Sequence, residues 1–401
     1  MADKRQAVVF FLTSLMTLHA SISIAESGVT SDQVTIGMST ALSGPAQTLG
    51  QQIKLGVEAC FSATNAAGGI AGRKLKLAAL DDGYEPNRTG PNMHQLLRDP
   101  GVFAILGNVG TPTAVVAVPI ANDAKVPFFG AFTGAGILRK TPPDRYVINF
   151  RASYEEEMAS IIQGLVNNLK IPATSIAFFT QNDAYGDAVF KAGIKALQTT
   201  GFGEPAKLIH GRYQRNTVNV EDGLSKILEA RHQPTVVVIV GTYKAAAKFI
   251  RLAKQERLSA LFVNVSFVGS ESLMAELGPL AEGVIVTQVV PPLDTNMPLH
   301  KAYLRALGSE RPTFASLEGY LAAAAFTEGL RRAGQNPTRE GFIDGLETGQ
   351  AIDFGMGRVT ALSKAEHQIS HQVWPTIIQG GGFHSLEWRS LKSTPSLLQA
   401  H

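Results

Sequence analysis

Short apolar runs of β character alternate with stretches of helical periodicity along almost the whole of this 401-residue chain. The spacing predicts strands over 34–38, 75–80, 102–106 and 126–129, separated by helices over 47–67, 88–98 and 113–124. A second set follows Arg151, with helices over 153–169, 185–200, 220–231 and 243–255 and strands over 175–180, 206–211, 235–240 and 260–263. Few charges interrupt the strands, as parallel strands covered on both faces require. Strand–helix–strand order then implies parallel sheets with right-handed crossovers. The chain is too long for one ordinary core and suits two α/β domains. Later segments break the order: strands over 283–290, 355–359 and 373–379, and helices over 297–308, 316–333 and 338–346. From about Ser390 the tail is polar and is expected to fray.

With 45% hydrophobic and 17% charged residues the chain is a folding sequence, and a scattered formal charge of +3 gives no nucleic-acid footprint. Lys4 and Arg5 precede the apolar run Ala7 to Leu18, and small residues follow through Ser23 and Ala25. That pattern is a secretory signal cleaved after Ala25, because about a dozen apolar residues fall short of the roughly 20 that span a bilayer. Loss of residues 1–25 removes a net +1 and leaves +2. The lone cysteine, Cys60, excludes an intramolecular disulfide and sits in a helical pattern as a buried, inert thiol. It lies too far from the signal to be a lipidated anchor, so a free periplasmic form is expected.

Catalytic patterns are absent. His367 and His371 stand four apart, but Gln368 occupies the place of the base in a zinc-protease helix, and the spacing alone is weak evidence for metal. No phosphate loop and no nucleophile elbow occur. Gly201-Phe202-Gly203 follows a helix and precedes a strand, the wrong order for a dinucleotide site. No cofactor is indicated. Present instead are small polar groups at strand ends. Gly107-Asn-Val-Gly-Thr111-Pro-Thr113 runs from a strand into a helix start, where free N–H groups and a hydroxyl suit a carboxylate. An N-cap by Thr111 explains the same residue. Phe129-Gly-Ala131-Phe132-Thr133 follows the next strand and offers a second hydroxyl, or is simply a glycine-rich turn.

Residues 65–82, NAAGGIAGRKLKLAALDD, place a helix end at Gly68 and Gly69, a turn at Gly72, and a strand that delivers Asp81 and Asp82 to a sheet edge. This stretch resembles the first crossover of type I periplasmic binding proteins of the branched-chain amino acid family. Ile36 to Pro45 is similar to that family's opening strand and Ser-Gly-Pro loop, Asp183-Ala-Tyr185-Gly186 to its second-lobe motif, and Tyr320-Leu-Ala-Ala to its late helix. The resemblance covers nearly all of the mature chain. It implies two Rossmann-like α/β lobes joined by a three-crossing hinge, with lobe 1 over 28–150 and 293–355, lobe 2 over 151–290 and 356–389, and a tail over 390–401. The crossings fall near 150–151, 288–292 and 354–358. It also implies a non-enzymatic, monomeric solute carrier that delivers a small ligand to the permease of an ABC importer. A ligand-sensing regulator on the same fold is the alternative.

Site residues follow from the same resemblance, one position at a time. Thr111 and Thr133 match hydroxyls that hold a ligand carboxylate, with Ala131 and Phe132 supplying backbone groups. Leu49 matches a position packing on the ligand side chain. Tyr185 and Tyr243 match aromatics of the second lobe, and Tyr320 a further aromatic; Tyr243 as a helix start and Tyr320 as core are the plain readings. Tyr84 is placed at the mouth. The position that carries an acid for a ligand ammonium is Ser266 here, which implies a carboxylate ligand without an obligatory ammonium, such as an aromatic or branched organic acid. Glu271 nearby is assigned to its helix start.

Overall fold

The computed structural model describes residues 26–98, 101–293, 297–354 and 361–393. The export signal, the strand expected over 355–359 and the last residues of the tail lie outside them. The first half runs β1 (Gln33–Thr40), α1 (Gln47–Ala66), β2 (Lys74–Asp81), α2 (Pro86–Leu96), β3 (Ala104–Leu106), α3 (Thr111–Asp123), β4 (Phe128–Phe129) and β5 (Val147–Ile148). The second runs α4 (Tyr154–Ile162), β6 (Ile176–Gln181), α5 (Ala184–Gln198), β7 (Ile209–Tyr213), α6 (Glu221–Leu228), β8 (Val236–Val240), α7 (Tyr243–Gln255), β9 (Leu261–Asn264), α8 (Ser270–Leu277) and β10 (Ile285–Gln288). Then come α9 (Pro298–Leu307), α10 (Phe314–Arg332), α11 (Arg339–Leu346), β11 (Trp374–Gln379) and β12 (Gly382–Ser385).

Two sheets result, in the orders β2-β1-β3-β4-β5 and β12-β11-β10-β9-β8-β6-β7. The first is parallel throughout, and only the β10–β11 and β11–β12 pairs of the second are antiparallel. Each sheet reverses direction once, between β1 and β3 and between β6 and β8. Loops leaving the strands there diverge and open a crevice at the C-terminal edge, where open α/β sheets take ligands. Thr111, Tyr185 and Tyr243 all lie within a few residues of such strand ends.

Helices α9 and α10 pack on α1 although some 250 residues separate α10 from it. Leu49, Ile53, Val57 and Cys60 form the buried stripe of α1. Two glycines let the backbones touch: a Cβ on Gly56 would stand 1.9 Å from Ser316 O, and one on Gly319 2.3 Å from Ile53 O. Burial pushes the Cys60 thiol up to about 12, with Thr64 and Arg331 opposing, so it is protonated at neutral pH.

Differences from the sequence reading are local. The helix expected over 153–169 is α-helical only to Ile162 and continues as a π-helix, Gln163–Asn168. Strands β5 and β12 are too short to show a periodicity and were not expected. At the start of the tail Trp388–Ser393 forms a 3-10 helix, because Leu391 is buried and the Trp388 indole fills the space left by Gly164.

Candidate functional site

The loops after β3 and β4 run side by side through a bridge between Val109 and Phe132. The N-cap of α3 is Gly110 (φ +98°), so Thr111 is not a cap. Its hydroxyl meets that of Thr133 at 2.7 Å, and Thr133 also reaches the Tyr154 hydroxyl at 3.3 Å. Both threonines are buried. The expectation that backbone groups are offered here needs correction at Phe132. The Phe132 N–H donates to Asn108 O at 2.7 Å, the Phe132 carbonyl accepts from Gly110 N at 3.2 Å, and the Ala131 carbonyl accepts from Thr133 N at 2.8 Å. The bridge takes up the backbone groups of Phe132, which contributes its ring instead.

Phe267, in the loop after β9, closes over that ring. Its centroid lies 5.3 Å from Phe132, 5.9 Å from Tyr84 and 4.5 Å from Tyr185, and Tyr185 lies 5.5 Å from Tyr154. Tyr84 is therefore interior and not at the mouth. Glycine at 110 makes this room, since a Cβ there would stand 2.1 Å from Tyr84 Cε2. The Tyr84 hydroxyl accepts from Gln181 Nε2 at 3.0 Å, while the buried Tyr185 hydroxyl has no hydrogen-bond partner. Tyr243 begins α7 and also reaches across, with its hydroxyl 3.0 Å from that of Thr48. Leu49 and Tyr243 flank Gly269. Outside this contact Glu85 accepts from Arg215 Nη2 at 2.8 Å and from Asn216 Nδ2 at 2.6 Å.

A buried charge cluster sits beside the aromatic group. Arg151, wholly buried at the end of the first crossing, holds its guanidinium carbon 4.7 Å from the Phe132 centroid. Its Nη2 is 3.6 Å from Glu157 and donates to Ser266 Oγ, and its Nε is 3.6 Å from Glu318. Glu157 accepts from Ser266 N and Ser266 Oγ, both at 2.9 Å, and from the Thr287 hydroxyl. Ser266 is thus a fully engaged bridge between two charged groups. Burial raises the Glu318 carboxyl to about 7, with Arg151 opposing. Phe132, Ser266, Gln288 and Glu318 border a void with room for about one water molecule.

Other expected residues lie elsewhere. Tyr320 packs edge-on against Tyr303 at 5.4 Å, beside Cys60 and Arg305, so it belongs to the helix layer. Residues two apart on a helix point about 200° apart, so α10 turns Glu318 to the cluster and Tyr320 away from it. Glu271 does more than begin α8: its carboxylate accepts from Phe314 N at 2.8 Å, at the start of α10. Asp81 and Asp82 are scaffold. Asp81 accepts from Leu42 N, Ser43 N, Ser43 Oγ and Gly83 N, and Asp82 from Ser39 Oγ and Tyr84 N.

Arg151, Glu157, Phe267 and Glu318 were not expected from the sequence. One signal was present: Glu157 falls on the stripe Tyr154, Met158 and Ile161, and an acid in an apolar stripe needs a buried partner.

His367 and His371 lie in irregular chain. His367 Nε2 is 2.8 Å from Glu347, and His371 Nδ1 is 2.6 Å from Glu156. Among the described residues no group of three His, Cys, Asp or Glu is placed to hold a metal ion. A roomier cavity of about 470 Å³ lies beside these histidines, lined by Arg139, Asn149, Glu156, Gln368 and His371 among others, and none of the aromatic cluster borders it. Among the described residues no helix is long and apolar enough to cross a membrane.

The family profile described as periplasmic binding protein matches residues 33–382, and the chain belongs to that family. It is 26% identical over 362 residues to Leu/Ile/Val-binding protein homolog 3 of Brucella melitensis, an alignment spanning 87% of this chain and 92% of that protein. Among solved structures it is similar to a possible leucine/isoleucine/valine-binding protein from Rhodopirellula baltica, at 43% identity and TM-score 0.87, covering 90% of this chain and 98% of that one. A substrate-binding periplasmic protein from Ralstonia solanacearum aligns at 25% identity and TM-score 0.81, covering 88% and 100%. The fold is the type I arrangement of two α/β lobes.

Proposed function

We propose that this chain is an extracytoplasmic solute receptor that encloses a small carboxylate-bearing ligand between its lobes and delivers it to the permease of an ABC importer. The observation that carries the reading is the Thr111–Thr133 hydroxyl pair, buried at a strand-edge crevice of the first lobe and covered by Phe267 and Tyr185 of the second. Polar groups at the floor with aromatic walls are the usual make-up of a small-molecule site. We assign lobe 1 to residues 28–150 with 293–355 and lobe 2 to 151–290 with 356–389, working as a monomer exported by residues 1–25. The first crossing is braced by residues 369–370: Ser370 N donates to Phe150 O at 2.9 Å and Ile369 N to Asn149 O at 2.9 Å. The site neighbours of this reading are Leu49, Tyr84, Thr111, Phe132, Thr133, Tyr185, Tyr243 and Ser266.

The ligand class we favour is an organic acid without an α-ammonium. Ser266 has its N–H and hydroxyl committed to Glu157, and it brings no negative charge to an ammonium. Thermal-shift screening of the purified mature chain over aromatic acids, branched 2-oxo acids and standard amino acids tests this. Organic acids should raise the melting temperature, since a ligand of the folded state stabilises it by mass action. Micromolar binding of leucine or valine with no response to any organic acid would reject the ligand class.

A further inference from the structure

The Thr111–Thr133 pair is neutral and already hydrogen-bonded to itself, and a carboxylate sealed from water needs a charged partner. Among the described residues, the candidate held among the cleft aromatics is the guanidinium of Arg151, whose side chain is wholly buried. Its Nε and Nη1 have no hydrogen-bond partner. Orphaned buried donors are rare in folded proteins and call for an explanation, and a bound acceptor is one. The backbone of this residue is fixed, because its carbonyl accepts from Arg139 Nη2 at 2.9 Å. The unpartnered Tyr185 hydroxyl belongs to the same cluster through Tyr154, which hydrogen-bonds Thr133.

Glu318 is the second element. It lies 3.6 Å from Arg151 Nε and borders the same void as Ser266 and Phe132. Resting on the solute-receptor reading above, we propose that Arg151 is the charged anchor of the ligand carboxylate, and that the incoming carboxylate replaces Glu318 as its counter-ion while Glu318 takes up a proton. The balance is closed: one ligand anion and one proton enter together, and the net charge sealed between the lobes is unchanged. The groups facing Glu318 fit this exchange. Arg151 and Arg139 favour its ionised form, whereas Glu157 and burial oppose it, and burial already holds the carboxyl at about 7. A further anion beside Arg151 shifts it upward again.

The test is titration calorimetry with benzoate, 4-methyl-2-oxopentanoate and L-leucine, each in two buffers of different ionisation enthalpy between pH 6 and 8.5. An organic acid should bind wild type with net proton uptake, and its Kd should rise by up to about tenfold per pH unit above pH 7. Glu318→Gln should bind with no proton exchange and a Kd independent of pH. Arg151→Gln should lose at least about tenfold in affinity, with Arg151→Lys, which keeps the charge but not the fork, in between. Circular dichroism verifies that each variant is folded. Binding without proton uptake, or with proton release, overturns the assignment while the receptor reading stands, as does an Arg151→Gln protein that is folded and binds as tightly as wild type. If none of the three probes binds, the receptor reading falls and takes this assignment with it.

Discussion

The Tyr84 hydroxyl, carried by the first lobe, accepts a 3.0 Å hydrogen bond from Gln181 Nε2 of the second, with the Tyr84 ring buried in the space that a side chain at Gly110 would fill. The bond ties one lobe to the other, so any motion that parted them would break it. Tyr84→Phe keeps the ring and removes the hydrogen bond, worth about 1 kcal/mol net. Its ligand affinity should fall about fivefold, and small-angle scattering should show a larger radius of gyration for the ligand-free variant than for wild type.

Thr111 and Thr133 should matter to ligand more than to fold. Replacing either with Val removes one hydroxyl of a buried pair and should destabilise by about 1 kcal/mol. The ligand-induced rise in melting temperature should disappear. If both variants keep the full rise, these hydroxyls do not hold the carboxylate.

Glu85 clasps the lobes from outside, accepting from Arg215 and Asn216. These side chains are partly exposed, so the clasp is worth well under the value of a buried pair and weakens with salt. Glu85→Ala should raise the ligand off-rate a few-fold at low ionic strength, and stopped-flow release should show the difference shrinking at 1 M salt.

Gly269 adopts φ +81°, and a Cβ there would stand 2.6 Å from Leu49 Cδ2 of the other lobe. Gly269→Ala therefore places both strain and a wedge at the closing surface. Closure should suffer most, giving weakened binding with a smaller change in the melting temperature of the free protein.

Burial holds the Glu271 carboxyl up at about 7, against its hydrogen bond from Phe314 N. A carboxyl whose folded value lies above its unfolded one contributes stability that is fully present below about 4.5 and is lost as pH rises through about 7. Glu318 acts in the same direction. Scanning calorimetry should find a melting temperature that falls from pH 6 to pH 8, and Glu271→Gln should make that fall shallower.

Much of the fold was legible because parallel strands buried on both faces leave a local trace, short apolar runs between helical periods. Gly68 and Gly69 end α1 with positive φ, as their place in the sequence implies. Strand β5, two residues long, leaves no such trace. The site was legible only where a residue directly follows a strand, as Thr111, Tyr185 and Tyr243 do. Glu318 and Tyr320 show the limit. Both lie in one helix, and the aromatic was the natural choice for a pocket, yet α10 presents the acid and turns the tyrosine into the helix layer.

The sequence by itself determined the two-lobed α/β architecture, the absence of a disulfide, and the strand-end loops that carry Thr111, Tyr185 and Tyr243, because strand periodicity, cysteine count and strand-end position are properties of neighbouring residues. The tertiary structure alone decided which charges meet. Arg151, Glu157, Ser266 and Glu318 come from a crossing segment, a helix start, a loop and a distant helix, and only folding brings them within hydrogen-bonding or ion-pair reach. Burial then fixes their chemistry, since a guanidinium and two carboxylates removed from water must answer to one another or to a ligand.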